Sequence, residues 1–288
     1  MKKKLFTLLA ILMSASVLFA QTDKKPLDFS VYDDWKYIQD KGISDNGNYV
    51  FYEKNPYKGD GELVLWSEGN NKISFPRGKD AAFLHGDEFL VFSIYPQHDS
   101  LRQLKLDKTP KDKLPKDSLA IFNMVSGDLK KFEQVKSFKT AEKEGEWLAF
   151  WQHPIKDESD TTKKEKKEKT FDKLAPKTGT LHIMHPAEEE HFTFEKVSEY
   201  SISKFGDYIA FVQLQNDSLL KSTICVFDTK AGTMETLMSK EGLSQKLSLA
   251  NELPYLAFIH SEDTVKTKVY SLYLQDIKNQ EYKKLVDT

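Results

Sequence analysis

The chain has 288 residues, of which 39% are hydrophobic and 12% aromatic, and its formal charge is −2. That length holds one large or two ordinary domains, and the apolar fraction excludes an intrinsically disordered chain. A mildly acidic balance, −5 once Lys2, Lys3 and Lys4 are removed, excludes electrostatic attraction to nucleic acid or to an anionic lipid surface.

In chain order, residues 1–20 read as a secretory signal. Lys2–Lys4 form a charged start, Leu5–Phe19 an apolar stretch, and Ala20 a small residue before the polar run Gln21–Lys25. The apolar stretch is short for a bilayer, which needs about 20 residues. No cysteine follows it, so lipoprotein acylation is excluded, and no later segment approaches transmembrane length. The chain is therefore expected to be exported, to the periplasm or beyond. Cys225 is the sole cysteine, in the apolar run Ile224–Phe227. With no disulfide available, stability must come from burial, and a buried structural thiol is expected there.

Residues 21–42 form an entry segment that includes Trp35, expected to pack that segment against the following domain. From residue 43 to 288 one pattern recurs. Five stretches carry a turn, an aromatic, two small or aliphatic residues and a second aromatic: Tyr49–Tyr52, Phe89–Phe92, Trp147–Phe150, Tyr208–Phe211 and Tyr255–Phe258. Gly47, Gly86, Gly145 and Gly206 precede four of them, and Leu253-Pro254 the fifth. After each comes a second hairpin signal, for example Glu62–Trp66 followed by Glu68–Asn71, or Leu119–Phe122 followed by Ser126–Asp128. Two hairpins per repeat make four short strands, which is the arithmetic of a β-propeller blade. The expectation is an all-β fold, a β-propeller with five recognisable four-stranded blades. Two charged stretches break the period, 97–118 and 156–179. Both are dominated by mixed charge, with Phe171 their one aromatic, and are expected to be exposed, mobile loops.

Candidate chemistry is sparse. Gly42–Asn46 lacks the second glycine of a nucleophile elbow and precedes a hairpin, so Ser44 reads as a turn residue. His182 and His185 lie three apart on a strand and must project to opposite faces, and with His191 they complete no metal set. Glu188, Glu189 and Glu190 read as a solvated turn. No histidine–carboxylate pair is visible. Catalytic, cofactor-binding and metal residues are all expected to be none, and no cofactor is implied.

The sequence resembles the N-terminal propeller region of bacterial exported peptidases of the prolyl oligopeptidase family. The resemblance is carried by Trp35-Lys36, by Ile43–Val50 (Ile-Ser-Asp-Asn-Gly-Asn-Tyr-Val), and by Pro115–Leu119 after a lysine-rich insertion. It implies a propeller of seven or eight blades covering an α/β-hydrolase domain whose Ser, Asp and His cut peptides. No triad residue has a counterpart in these 288 residues. The five repeats then represent an incomplete arc: the substrate-gating part of an exported serine peptidase, inactive alone, meeting peptides only when joined to a catalytic domain. The competing expectation is a stand-alone five-bladed module binding a glycan or protein.

Overall fold

A computed structural model describes residues 29–69, 71–154, 175–216 and 219–287. Residues 1–20, expected to be a secretory signal, the first part of the entry segment and most of the insertion 156–179 lie outside the described residues. The all-β propeller architecture expected from the repeats is what the chain adopts. Each aromatic repeat becomes the second strand of an antiparallel meander, because alternating side chains let both faces of the sheet be buried.

Blade 1 contains β1 (Lys36–Ile43), β2 (Tyr49–Pro56), β3 (Glu62–Ser67) and β4 (Asn71–Pro76), hydrogen-bonded in that order. Blade 2 repeats it with β5 (Gly78–Phe83), β6 (Phe89–Ile94), β7 (Ser118–Asn123) and β8 (Leu129–Phe132). Blade 5 does so with β16 (Leu243–Leu249), β17 (Tyr255–Ser261), β18 (Ser271–Asp276) and β19 (Tyr282–Val286). Between them runs a seven-stranded sheet: β9 (Val135–Thr140), β10 (Leu148–Gln152), β11 (Gly179–His185), β12 (Glu190–Ile202), β13 (Tyr208–Asn216), β14 (Leu220–Asp228) and β15 (Thr233–Glu241).

That sheet is two blades sharing one long strand. β12 pairs with β11 from Glu190 to Val197, then with β13 from Val197 to Ile202. Lys196 sits at the crossing with φ 57°, and both ladders shift register there. The first half of β12 thus closes blade 3 and the second half opens blade 4. A left-handed residue turns the strand where one sheet hands over to the next.

Four hydrophobic clusters fill the seams between successive blades. Phe51, Leu63, Leu90 and Phe92 join blades 1 and 2. Val91, Leu119, Leu148 and Phe150 join blades 2 and 3. Ala149, Trp151, Ile209 and Phe211 join blades 3 and 4, and Ala210, Val212, Leu256 and Phe258 join blades 4 and 5. None of these clusters links blade 5 to blade 1. The first strands lie innermost, with β1 touching β5, β9 touching β12 and β12 touching β16.

The turn glycines serve two purposes. Gly47, Gly86 and Gly206 have φ of 75°, 86° and 77°, where a side chain is strained. Gly145 is needed for room instead: a Cβ there would sit 2.1 Å from the Ala141 Cβ.

Residues 97–118 differ from the loop expected. His98–Leu106 form an α-helix, α1, followed by a 3-10 turn at Lys111–Lys113. The run holds good helix formers without Gly or Pro, with Asp99 in the first turn and Lys105 in the last, and Pro110 ends it. Mixed charge hid this local propensity. No side chain of α1 is buried, and His98 N–H donates to Asp60 Oδ1 at 2.8 Å, fixing its start. Among the described residues no helix is long and apolar enough to cross a membrane.

Candidate functional site

The turns that follow the innermost strands gather at one end of the blade stack. They share a closing hydrogen bond: Ser44 N–H to Tyr49 O, Leu84 N–H to Phe89 O, Ser203 N–H to Tyr208 O and Ala250 N–H to Tyr255 O, at 2.9–3.0 Å. Two open clefts lie among these turns. One, of about 520 Å³, spans blades 1 to 3 and is lined by Ile43, Asp45, Phe51, Phe83, His85 and Glu142. The other, of about 400 Å³, spans blades 3 to 5, with Lys139, Ser203, Lys204 and Asn251, and it also borders Glu142. The first has an aromatic floor and a mainly acidic rim; the second is polar with two lysines.

Carboxylates clasp the backbone of neighbouring blades. Asp87 of blade 2 accepts the Asp45 and Asn46 amides of blade 1 at 2.9 and 2.6 Å. Glu53, 2% exposed, accepts the Asp80 amide of blade 2 at 2.6 Å. Glu199 does the same for Lys246 and Leu247 of blade 5. A charge-assisted bond to a carboxylate is about twice as strong as a neutral one, so these groups set blade geometry.

Histidine–carboxylate pairs, absent from the sequence reading, do form. His185 Nε2 lies 2.9 Å from Glu146 Oε2, and His85 Nδ1 lies 3.2 Å from Asp45 Oδ2. Their partners are 39 and 40 residues away, in other turns, so no local motif could have flagged them. Glu188 N–H donates to His185 Nδ1 at 3.3 Å, which leaves the Nε2 proton for Glu146. Glu188, Glu189 and Glu190 themselves are an exposed turn.

His182 and His185 do point away from one another. His182 stacks on Phe150 at 4.5 Å, whereas His185 meets the Trp147 ring edge-on at 5.2 Å. The unforeseen contact is across the hairpin: His182 Nδ1 lies 2.8 Å from His191 Nε2. His182 Nε2–H donates to Gln152 Oε1 at 2.9 Å, so its Nδ1 accepts from His191. Burial, with His191 alongside, pushes the His182 imidazole down to about 4, and burial also lowers His191. Both are neutral at pH 7. Among the described residues no group of three or more His, Cys, Asp or Glu is placed to hold a metal ion.

Ser44, the serine nearest to a nucleophile-elbow pattern, is occupied. Ser44 Oγ donates to Asn46 Oδ1 at 2.8 Å and accepts the Tyr49 amide at 3.1 Å, as a turn residue does. A serine–histidine contact exists elsewhere: Ser244 Oγ to His260 Nδ1, 2.9 Å, continued to Ser222 Oγ at 3.0 Å. Ser222, Ser244 and His260 are 0%, 1% and 3% exposed, sealed in the seam between blades 4 and 5, so no substrate can reach them. Cys225 is buried in the blade 3–4 core, and burial raises its thiol pKa. Trp35 is 49% exposed, and its ring packs on Tyr32 of its own segment at 5.3 Å.

No family model matches the chain, and no curated protein matches it. Among solved structures it is similar to the β-propeller domain of the Trilobed protease from Pyrococcus furiosus, with 13% identity over 87% of this chain and 72% of that one, TM-score 0.45. It is similar to Pyrococcus horikoshii acylaminoacyl peptidase, with 12% identity over 91% of this chain and 41% of that one, TM-score 0.47. A putative TolB from Agrobacterium tumefaciens is 9% identical over 87% of this chain and 81% of that one, TM-score 0.38. The chain thus spans less than half of the acylaminoacyl peptidase it resembles.

Proposed function

We infer that these blades are the substrate-gating propeller of an exported prolyl oligopeptidase-like serine peptidase, acting on peptides only in company with an α/β-hydrolase domain. The observation that carries this reading is the entry sequence. Trp35-Lys36 leads directly into the innermost strand of blade 1, and Ile43–Val50 forms its first turn, so the stretch that resembles the family sits at the start of the repeat array. The secretory pattern of residues 1–20 supports export. The five blades fit an incomplete arc of seven or eight.

The test is to recover, from the envelope fraction of source cells, the polypeptide that contains tryptic peptides of residues 49–286. A species much larger than 33.2 kDa that reacts with a serine-directed fluorophosphonate is expected. An unreactive species of 33 kDa that binds glycan or protein would replace this reading with the stand-alone module.

A further inference from the structure

His182 and His191 meet across the hairpin of blade 3. In the ladder of β11 with β12, His182 lies opposite Thr193 and Met184 opposite His191. The two imidazoles are therefore diagonal neighbours on one face of the sheet. That face is turned toward blade 2: Phe150 stacks on His182 at 4.5 Å, and the Phe132 ring of blade 2 stands 6.1 Å from that of His191. His182 is 9% exposed, and His191 lies at the surface, open to a solute. The pair belongs to a closed seam between blades 2 and 3, so it does not depend on the open faces of blades 1 and 5.

The nitrogens are arranged for more than a hydrogen bond. Gln152 Oε1 takes the Nε2 proton of His182 at 2.9 Å, which leaves the Nδ1 lone pair facing His191 Nε2 at 2.8 Å. A carbonyl oxygen on the far N–H is the partner that fixes the tautomer and orientation of a metal-ligating histidine. His191 Nε2 offers a second lone pair once its proton stands on Nδ1, a change of tautomer that alters no charge. Burial holds both rings neutral at pH 7, so protons do not compete for these nitrogens.

Their spacing selects the ion. With metal–nitrogen bonds of about 2.0–2.1 Å, two nitrogens at a right angle on the metal lie about 2.8–3.0 Å apart, whereas a tetrahedral angle parts them by about 3.3–3.4 Å. The 2.8 Å between His182 Nδ1 and His191 Nε2 fits the right angle. Right-angled nitrogen and oxygen sets suit Cu(II) and Ni(II), and copper is the tightest binder of the divalent series. We propose that His182 Nδ1 and His191 Nε2 bind one Cu(II) ion, with Gln152 orienting His182 and water completing the coordination. A rotation of the exposed His191 ring turns its lone pair from the neighbouring nitrogen onto the ion. No third histidine, cysteine or carboxylate joins them among the described residues, so the site is a two-imidazole one. Lys130, with its Nζ 5.4 Å from the Phe132 ring centre, sets a positive charge near His191 and limits the affinity. The site goes beyond the peptidase reading and does not rest on it.

The experiment titrates the purified, metal-free chain with Cu(II) and with Zn(II) at neutral pH against glycine as competitor. Electron paramagnetic resonance then counts the nitrogens on the bound copper. Wild type is expected to take up one Cu(II) per chain with two imidazole nitrogens, held about tenfold or more tightly than Zn(II). His191→Gln should weaken copper about tenfold or more, and Gln152→Ala about tenfold through the lost support of His182. His98→Gln, in α1, should leave the affinity unchanged. Circular dichroism checks that each variant folds, and Lys130→Gln, a surface change, reports on the same place in the opposite direction by tightening copper about threefold. Copper held no more tightly by wild type than by His191→Gln, fewer than two nitrogens on the bound ion, or zinc bound as tightly as copper would overturn the proposal.

Discussion

The Glu199 carboxylate accepts the backbone N–H of Lys246 at 2.9 Å, and its other oxygen takes that of Leu247 at the same distance. Lys246 has φ 62°, and the ladder of β16 with β17 shifts register between Gln245 and Ser248. The bulge frees amides from the sheet, and the carboxylate of blade 4 captures them. Glu53 and Asp80, with φ 53° at Asp80, repeat the device between blades 1 and 2.

Removing the clasp should therefore cost stability out of proportion to a surface charge. Glu199→Ala leaves two amides without their acceptor, a loss of about 1–3 kcal/mol. Lys246→Gly relieves the left-handed backbone and should be neutral or stabilising by up to about 1 kcal/mol. Urea-unfolding midpoints compare the two. Equal, negligible shifts would mean the clasp contributes nothing.

The seams make a paired prediction at two alanines. Ala210 is 0% exposed between Phe258 and its neighbours, so Ala210→Leu overpacks a closed seam and should destabilise by about 1–3 kcal/mol. Ala257, at the matching position of blade 5, is only half-buried and packs against no further blade among the described residues, so Ala257→Leu should be tolerated in residues 21–288. Thermal melts of the two variants give the comparison. Similar losses at both positions would contradict this difference in packing.

Much of this was legible in the sequence because propeller packing is local and periodic. The aromatic repeats marked the second strand of every blade, and their alternation follows from sheet geometry. The shared strand β12 was not legible, since its two halves are continuous in sequence and only the left-handed Lys196 separates them. The helix over His98–Leu106 was hidden by its charge. The polar contacts were least legible of all. Glu146 with His185 within blade 3, and Asp87 with Asp45 and Glu199 with Lys246 from one blade to the next, join residues roughly 40 apart, and a lone carboxylate in a sequence looks like a solvated one.

Neither Ser44 nor Ser244 is an accessible, activated nucleophile. Ser44 is spent on its own turn, and the Ser244–His260 contact is sealed from solvent. Purified residues 21–288 should neither hydrolyse proline-containing peptides nor take up a fluorophosphonate. Labelling of any serine, located by peptide mass spectrometry, would show a reactive site that the geometry does not provide.

The last prediction concerns acid. The imidazoles of His182, His191 and His260 are all held below their ordinary range, each chiefly by burial, with His182 at about 4 against an unperturbed 6.5. Below pH 6.5 the unfolded chain takes up protons that the folded chain refuses, so stability falls as pH falls, and the loss from His182 is complete near pH 4. Protonating His182 would also leave two N–H groups facing each other across the 2.8 Å contact with His191, in a seam lined by Phe132 and Phe150. The melting temperature should therefore decline between pH 6.5 and 4, corresponding to a loss of up to about 3 kcal/mol for His182. His182→Gln keeps a polar side chain that does not titrate and should flatten that part of the profile. A profile as steep in His182→Gln as in wild type would place the acid sensitivity elsewhere, with His260 in the blade 4–5 seam the next residue to replace.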